Sequence, residues 1–258
     1  MQERRIAFEG IENFRDFGDY AAGARRLKPG ILYRSGHHGG ATEADLQKLS
    51  ALGLSVIVDL RRANERERMP TPRWDGFPAQ VIENDISQEG LDEWAEFVMR
   101  SELTPATFRQ YMLDYYDLAP FQPRHLDLYA RYFRALAEAE GPVLVHCSAG
   151  KDRTGIICAL THHVAGVAED DILADYLLTN DMDRINARLP LMREMIRENT
   201  GKTVSEEALT VALRVEVEYL DRAFAAMRER HGSLDGYLDD ALGLDEGLRE
   251  RVAAQLLA

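Results

Sequence analysis

Four short runs along the chain, residues 31–35, 55–60, 79–86 and 142–147, alternate in polarity or are continuously apolar over strand-like lengths. The second and fourth carry so few polar positions that they predict strands buried on both faces of a sheet. Between and after these runs the apolar residues recur three and four apart. That spacing predicts helices over 42–52, closed by Gly53, over 123–139, closed near Gly141, and through a long region from Thr154 to the end. Strand and helix in alternation predict an α/β fold with a central, largely parallel sheet of four or five strands flanked by helices. The prolines and glycine of 69–78 mark a loop. Further on, Thr203 and Glu206 form a capping-box pattern, and Leu209, Leu213, Val217, Leu220, Phe224 and Met227 follow at helical spacing up to His231 and Gly232. The expectation is one helix from Thr203 to His231 with its stripe packed on the core. No repeat, low-complexity tract or flexible linker divides the chain, which predicts a single domain over 1–258.

Composition narrows the classes. At 258 residues, 45% hydrophobic and 29% charged, the chain is globular rather than disordered. Its 31 Lys and Arg against 44 Asp and Glu leave a formal charge of −13, a field that repels nucleic acid and anionic membranes at long range. An anionic ligand therefore needs a local basic site. Cys147 and Cys158 are too few for a disulfide framework, and no Cys/His clusters have zinc-site spacing. Residues 1–6 carry charge without an apolar leader behind them, and nowhere do about 18 apolar residues run together. The expectation is a reducing, cytoplasmic setting, with signal-less export left open.

The segment 143–156, Val-Leu-Val-His-Cys-Ser-Ala-Gly-Lys-Asp-Arg-Thr-Gly-Ile, is a buried strand, a tight loop and a helix start. Backbone N–H groups in such a loop converge on one spot beside the positive end of the helix dipole, so a phosphate is held there with little help from side chains. Gly150 permits the tight turn, and Arg153 adds a planar fork able to grip two phosphate oxygens. Cys147 sits at the strand end facing the same cradle, where the dipole and Arg153 favour the thiolate, the form that attacks. Cys158, two helical turns further on, reads as core. The pairs His37-His38 and His162-His163 lack the spacing and carboxylate partners of a metal site, so no metal or organic cofactor is expected.

His146-Cys147, five residues, Arg153 and Thr154 resemble the signature of cysteine-dependent protein tyrosine phosphatases. Together with Asn13-Phe-Arg-Asp16, Val58-Asp-Leu-Arg61 and His231-Gly-Ser-Leu-Asp-Gly-Tyr237, they resemble the atypical bacterial tyrosine phosphatase family over nearly the whole chain. The resemblance implies a phosphocysteine on Cys147, a phosphoryl clamp by Arg153 and a cradle of amides from Ser148, Ala149, Gly150, Lys151, Asp152 and Arg153. It also implies that Thr154 hydrogen-bonds the thiolate, that His146 supports the loop from behind, and that Lys151 extends the substrate range toward phosphoinositides. The larger tyrosine phosphatases carry their acid in a Trp-Pro-Asp loop, which is absent here; Trp74-Asp75 is the nearest fragment. The family's usual placement points to Asp152. Asp59, at a strand end where α/β sheets place ligands, is the second candidate, and the resemblance gives it the role of orienting Arg153. The residues alone leave open that Asp152 only caps the helix and that Asp59 only caps the strand end or pairs with Arg61.

The expected activity is hydrolysis of phosphate monoesters, phosphotyrosine first, with phosphoserine, phosphothreonine and phosphoinositides as further substrates and inorganic phosphate as product. A primarily phosphoinositide-directed enzyme is the alternative. From other classes, a phosphate-binding pseudophosphatase would have lost Cys147, Arg153 or the acid, and a rhodanese-like sulfur transferase would not need Arg153. Residues 181–231 follow the catalytic helix and are expected to form a helical lid-like segment over the cleft.

Overall fold

The computed structural model describes residues 4–86 and 93–258. Seven strands occur among them: β1 (Arg15–Asp16), β2 (Ala21–Ala22), β3 (Arg25–Arg26), β4 (Leu32–Ser35), β5 (Val56–Asp59), β6 (Gln80–Ile82) and β7 (Val143–His146). β2 and β3 pair with each other; the other five form one sheet in the order β1-β4-β7-β5-β6, parallel except for β1. The helices are α1 (Glu43–Ala51), α2 (Ala63–Arg68), α3 (Glu93–Arg100), α4 (Pro105–Leu118), α5 (Pro123–Glu138), α6 (Asp152–Ala165), α7 (Glu169–Leu177), α8 (Met182–Thr200), α9 (Glu206–Leu213), α10 (Val217–His231), α11 (Leu234–Asp240) and α12 (Glu246–Leu256). The expected α/β class and largely parallel five-stranded sheet are what the chain forms.

β4, β5 and β7 are buried at every position. Alternate residues divide between two faces: Val56, Val58, Val143 and Val145 join the main core with Tyr132 and Phe133 of α5 and Ile156 and Leu160 of α6, while Tyr33, Ile57 and Leu144 join a smaller cluster with Phe14 and Leu49. Burial of each such side chain contributes about 1.5–3 kcal/mol, which is why these runs tolerate so few polar residues. The register sets Ser35 beside His146 and His146 beside Asp59, so three strands end level and the loop after β7 emerges at their carboxyl edge.

Two expected helices stand with their caps: Thr42 accepts from the Asp45 amide to open α1, and Pro123 opens α5. The expected strand over 79–86 pairs only over Gln80–Ile82, at the sheet edge. The single helix expected from Thr203 to His231 is two. Ser205, not Thr203, caps α9 by accepting from the Ala208 amide, and the chain breaks at 214–216, where Val215 exchanges both backbone hydrogen bonds with the Asn180 amide. The apolar stripe divides accordingly: Leu209 and Leu213 enter a separate cluster with Phe108, Ile185, Leu189 and Ile196, whereas Leu220, Phe224 and Met227 enter the main core. The expected elements also omit α2, α3 and α4. Among the described residues no helix is long and apolar enough to cross a membrane. Residues 1–3 of the segment weighed for a leader lie outside the described residues.

Candidate active site

β7 delivers Cys147, 2% exposed and with a free thiol, to the base of the loop that winds into α6. Three loop carbonyls are tied from outside. The Ser148 oxygen accepts from the His37 amide at 3.0 Å, the Ala149 oxygen from Asn13 Nδ2 at 3.3 Å, and the Gly150 oxygen from Asn13 Nδ2 at 2.8 Å and Arg34 Nη2 at 3.1 Å. In a trans peptide the N–H points opposite to the preceding C=O, so the amides of Ala149, Gly150 and Lys151 turn inward. Gly150 has φ of +63°, and a Cβ there would lie 2.4 Å from the Ser35 carbonyl. Only glycine fits.

Asn13 is itself held, at φ of +55°, by Arg15 Nη1, and Arg15 and Arg34 share the buried carboxylate of Asp175. This accounts physically for the Asn13 to Asp16 motif, which spacing alone does not explain. Asp16 adds its part by accepting from the Gly18 and Gly30 amides, fixing the turn between β1 and β4.

Arg153 is gripped by a residue that no sequence signal marks. Glu65 of α2 accepts from Arg153 Nη1 at 2.6 Å and Nη2 at 2.8 Å, and also from the Ser148 hydroxyl; the Leu60 carbonyl takes another Nη1 proton at 3.1 Å. Burial alone would raise the Glu65 carboxyl, but the Arg153 guanidinium outweighs it and holds it far below the ordinary range. A guanidinium has five N–H groups. The Nε–H and the second Nη2–H remain on its other edge.

The resemblance gives Asp59 the role of orienting Arg153; among the described residues it bonds Arg61 instead, and Arg153 bonds Glu65. Asp59 is 1% exposed and bound to Arg61, whose backbone N, Nε and Nη2 all donate to it, with Arg61 Nη2 at 2.6 Å. Burial would raise its carboxyl, yet it stands at about 2, drawn down by the charge of the neighbouring His146 and by the hydrogen bonds and charge of Arg61; His146 itself is pushed down by burial to about 4. His146 lies behind the loop, fully buried, stacked on His38 with ring centroids 4.6 Å apart. Thr154 Oγ1 is buried and has no hydrogen-bond partner among the described residues.

Asp152 faces the cleft with its side chain 22% exposed, accepting from Tyr116 at 2.9 Å. Lys151 lines the same cleft, and its ammonium is engaged by α9. It is 5% exposed, and its Nζ donates to the carbonyls of Ala212 at 2.6 Å and Arg214 at 3.2 Å, at the end of α9, while Arg184 Nη2 takes the Leu213 carbonyl at 2.7 Å. Burial lowers the lysine, and the Asp152 charge counters part of that.

The cleft of about 340 Å³ at this loop is lined by Trp94, Tyr111 and Tyr115 and by Leu191, Met192 and Met195 of α8. Arg62, Arg68, Arg184 and Arg188 also line it, so within an acidic chain the site itself is cationic. A larger cavity of about 670 Å³, near Arg4, Tyr20 and Asp171, is not lined by Arg153, Lys151 or Asp152, which the smaller cleft gathers; Cys147 lines neither. Among the described residues no group of three His, Cys, Asp or Glu is placed to hold a metal; His162 instead bonds the Phe17 carbonyl and His163 meets Asp235.

The model of the tyrosine phosphatase family matches residues 6–258. A Cupriavidus necator protein that carries the name of a tyrosine-protein phosphatase is 36% identical over 93% of this chain and 85% of its own length. The triple specificity protein phosphatase PtpB of Mycobacterium tuberculosis is 32% identical over 96% of this chain and 97% of its own.

Proposed function

Because the chain belongs to the tyrosine phosphatase family and is a tyrosine-protein phosphatase, we propose that it hydrolyses phosphate monoesters through a phosphocysteine on Cys147. The observation that carries this reading is the loop in which the carbonyls of Ser148, Ala149 and Gly150 are drawn outward, with Cys147 at its base and Arg153 within electrostatic reach of that sulfur. A phosphoryl dianion seated there meets the inward amides, the N-terminus of α6 and the Nε edge of Arg153. Cys147 Sγ bonds to phosphorus as the P–O bond breaks, and Asp152 gives its proton to the departing oxygen. Asp152, now a carboxylate, takes a proton from the water that attacks the phosphocysteine. The S–P bond breaks, releasing inorganic phosphate and the thiolate. The unpartnered Thr154 hydroxyl is a donor for that sulfur anion. Asp59, bound within the core by Arg61, is poorly placed for the acid's role.

The aromatic wall of the cleft suits a phosphotyrosine ring. The mycobacterial relative's name, a triple specificity protein phosphatase, supports a range wider than one substrate, and the proposal extends to the phosphoserine, phosphothreonine and phosphoinositides that the sequence resemblance implies. The cations around the mouth favour the second reading, a preference for polyphosphorylated headgroups. For Lys151 to serve such a headgroup it must first leave the α9 carbonyls. We assign the whole chain to one catalytic domain; of the lid-like segment expected over 181–231, only α8 and α9 line the cleft, while α10 packs into the main core. Acid quenching of the enzyme mixed with 32P-labelled phosphotyrosine peptide is expected to leave label on the wild type and none on Cys147→Ser, with turnover abolished in the variant and EDTA without effect. Retained turnover in Cys147→Ser, or loss with EDTA, would overturn the mechanism.

A further inference from the structure

The reaction as written leaves unused a chain of hydroxyls that ends on Asp152. Tyr176 of α7 donates to the Tyr116 oxygen at 2.7 Å, and Tyr116 of α4 donates to Asp152 Oδ1 at 2.9 Å. Lys151 Nζ stands 3.5 Å from the same oxygen. Among the described residues, then, the polar contacts of this carboxylate fall on Oδ1. A phenol has a single proton to give, so once Tyr116 accepts from Tyr176 its own proton is committed to Oδ1. Burial, reinforced by the Asp152 charge, pushes both phenols well above their ordinary range, and both remain donors across any working pH.

The catalytic helix is shaped to admit this chain. A Cβ on Gly155 would lie 2.8 and 3.0 Å from two ring carbons of Tyr176, so the first turn of α6 is bare where that ring packs. The two tyrosine rings meet edge to face, 6.4 Å between centroids at 79°, and Tyr219 of α10 packs on the other side of Tyr116. Without such a donor a carboxyl terminus rotates over a broad torsional well, and its proton divides between two oxygens. With Oδ1 occupied as an acceptor, the proton resides on Oδ2.

We infer that Tyr116 is a positioning residue for the acid: its hydroxyl, oriented by Tyr176, holds Asp152 Oδ1 so that Oδ2 presents the proton to the leaving oxygen. The inference rests on Asp152 being that acid, and the experiment separates the two. Steady-state kinetics on p-nitrophenyl phosphate, whose leaving group needs little protonation, are compared with phenyl phosphate, whose leaving group needs much more. Asp152→Asn sets the scale for loss of the acid. Tyr116→Phe is expected to lower kcat on phenyl phosphate about tenfold, within the range that general acid help spans, while p-nitrophenyl phosphate stays within about twofold and KM for both is unchanged. Tyr176→Phe, which keeps the Tyr116 hydroxyl but frees its orientation, is expected to shift the same ratio by less and serves where Tyr116→Phe fails to fold. The double variant Asp152→Asn with Tyr116→Phe is expected to lose nothing beyond Asp152→Asn alone, since a positioner without its client has no effect. If Asp152→Asn depresses both esters equally, the acid assignment falls and this inference with it. If Asp152→Asn discriminates but the tyrosine variants depress both esters equally, raise KM alone, or add to Asp152→Asn, the acid assignment stands and the role of Tyr116 is refuted.

Discussion

Removing the carboxylate of Glu65 tests whether the phosphoryl clamp is set by a brace outside the signature loop. Glu65 makes two parallel charge-assisted bonds to Arg153 and a third to Ser148. Taking one partner from a buried ion pair costs about 3–5 kcal/mol, and a single hydrogen bond to a charged group is worth about 1.5–3. The Arg153 and Glu65 side chains are 14% and 22% exposed, so water relieves part of the penalty in the Glu65→Ala variant and about 2–3 kcal/mol remains. If that loss falls on the transition state, it amounts to about a 30- to 150-fold drop in kcat/KM. Glu65→Gln offers no rescue, since its amide NH2 must face one of the guanidinium donors. The assay is kcat/KM on p-nitrophenyl phosphate together with inhibition by vanadate, which needs the same Arg153 edge and should weaken in parallel. A folded Glu65→Ala enzyme within threefold of wild type would refute the reasoning. An enzyme that became faster would show that Glu65 occupies the clamp rather than bracing it.

Gly150→Ala places a Cβ 2.4 Å from the Ser35 carbonyl at a φ of +63°, and is expected to abolish vanadate binding and lower the melting temperature; unchanged binding by calorimetry would contradict the close approach of the two loops. Lys151→Ala frees the carbonyls of Ala212 and Arg214, and hydrogen exchange over residues 206–216 is expected to speed up with the rest of the chain unaltered; equal protection in both proteins would mean that the lysine does not fasten α9. His38, His125, His146 and His162 are all pushed below the ordinary imidazole value by burial, His146 to about 4. The unfolded chain therefore binds more protons than the folded one below about pH 6.5, and stability is expected to fall as pH drops from there toward 4, by about 3 kcal/mol from His146 alone. A urea midpoint that stays flat between pH 7 and 5 would go against this.

What could be read in advance was local. The strand, loop and helix of the catalytic segment are contiguous, so Gly150, Lys151 and Arg153 announce an anion cradle before any packing is known. The groups that hold the cradle in shape arrive from afar: Glu65 from 88 residues away, Asn13 from 137, and Tyr116 on a helix 36 residues upstream. Periodicity carries no record of such meetings, because they depend on strand register and helix docking. Asp59 illustrates the limit. Its position at a strand end and a pairing with Arg61, two residues on, are both legible, but that the pairing prevails over a place at the phosphate is a matter of rotamer and burial. The stripe from Leu209 to Met227 fails differently: an unbroken helical spacing hides a break that the distant Asn180 imposes on Val215. Lys151 likewise reads as a charge beside the phosphate, and only the docking of α9 shows where its ammonium goes.

The distance along the chain between Asn13 and Gly150, and between Arg34 and Gly150, bears on the order of events during folding. Contacts that close such long loops are entropically expensive and form after local helices have appeared. Until the amino-terminal segment docks, the contacts that hold the three loop carbonyls outward are missing, and the loop after β7 has no fixed shape. In refolding experiments the helical signal should therefore return before dephosphorylation does, and recovered activity gauges completion of the native topology more strictly than recovered helix.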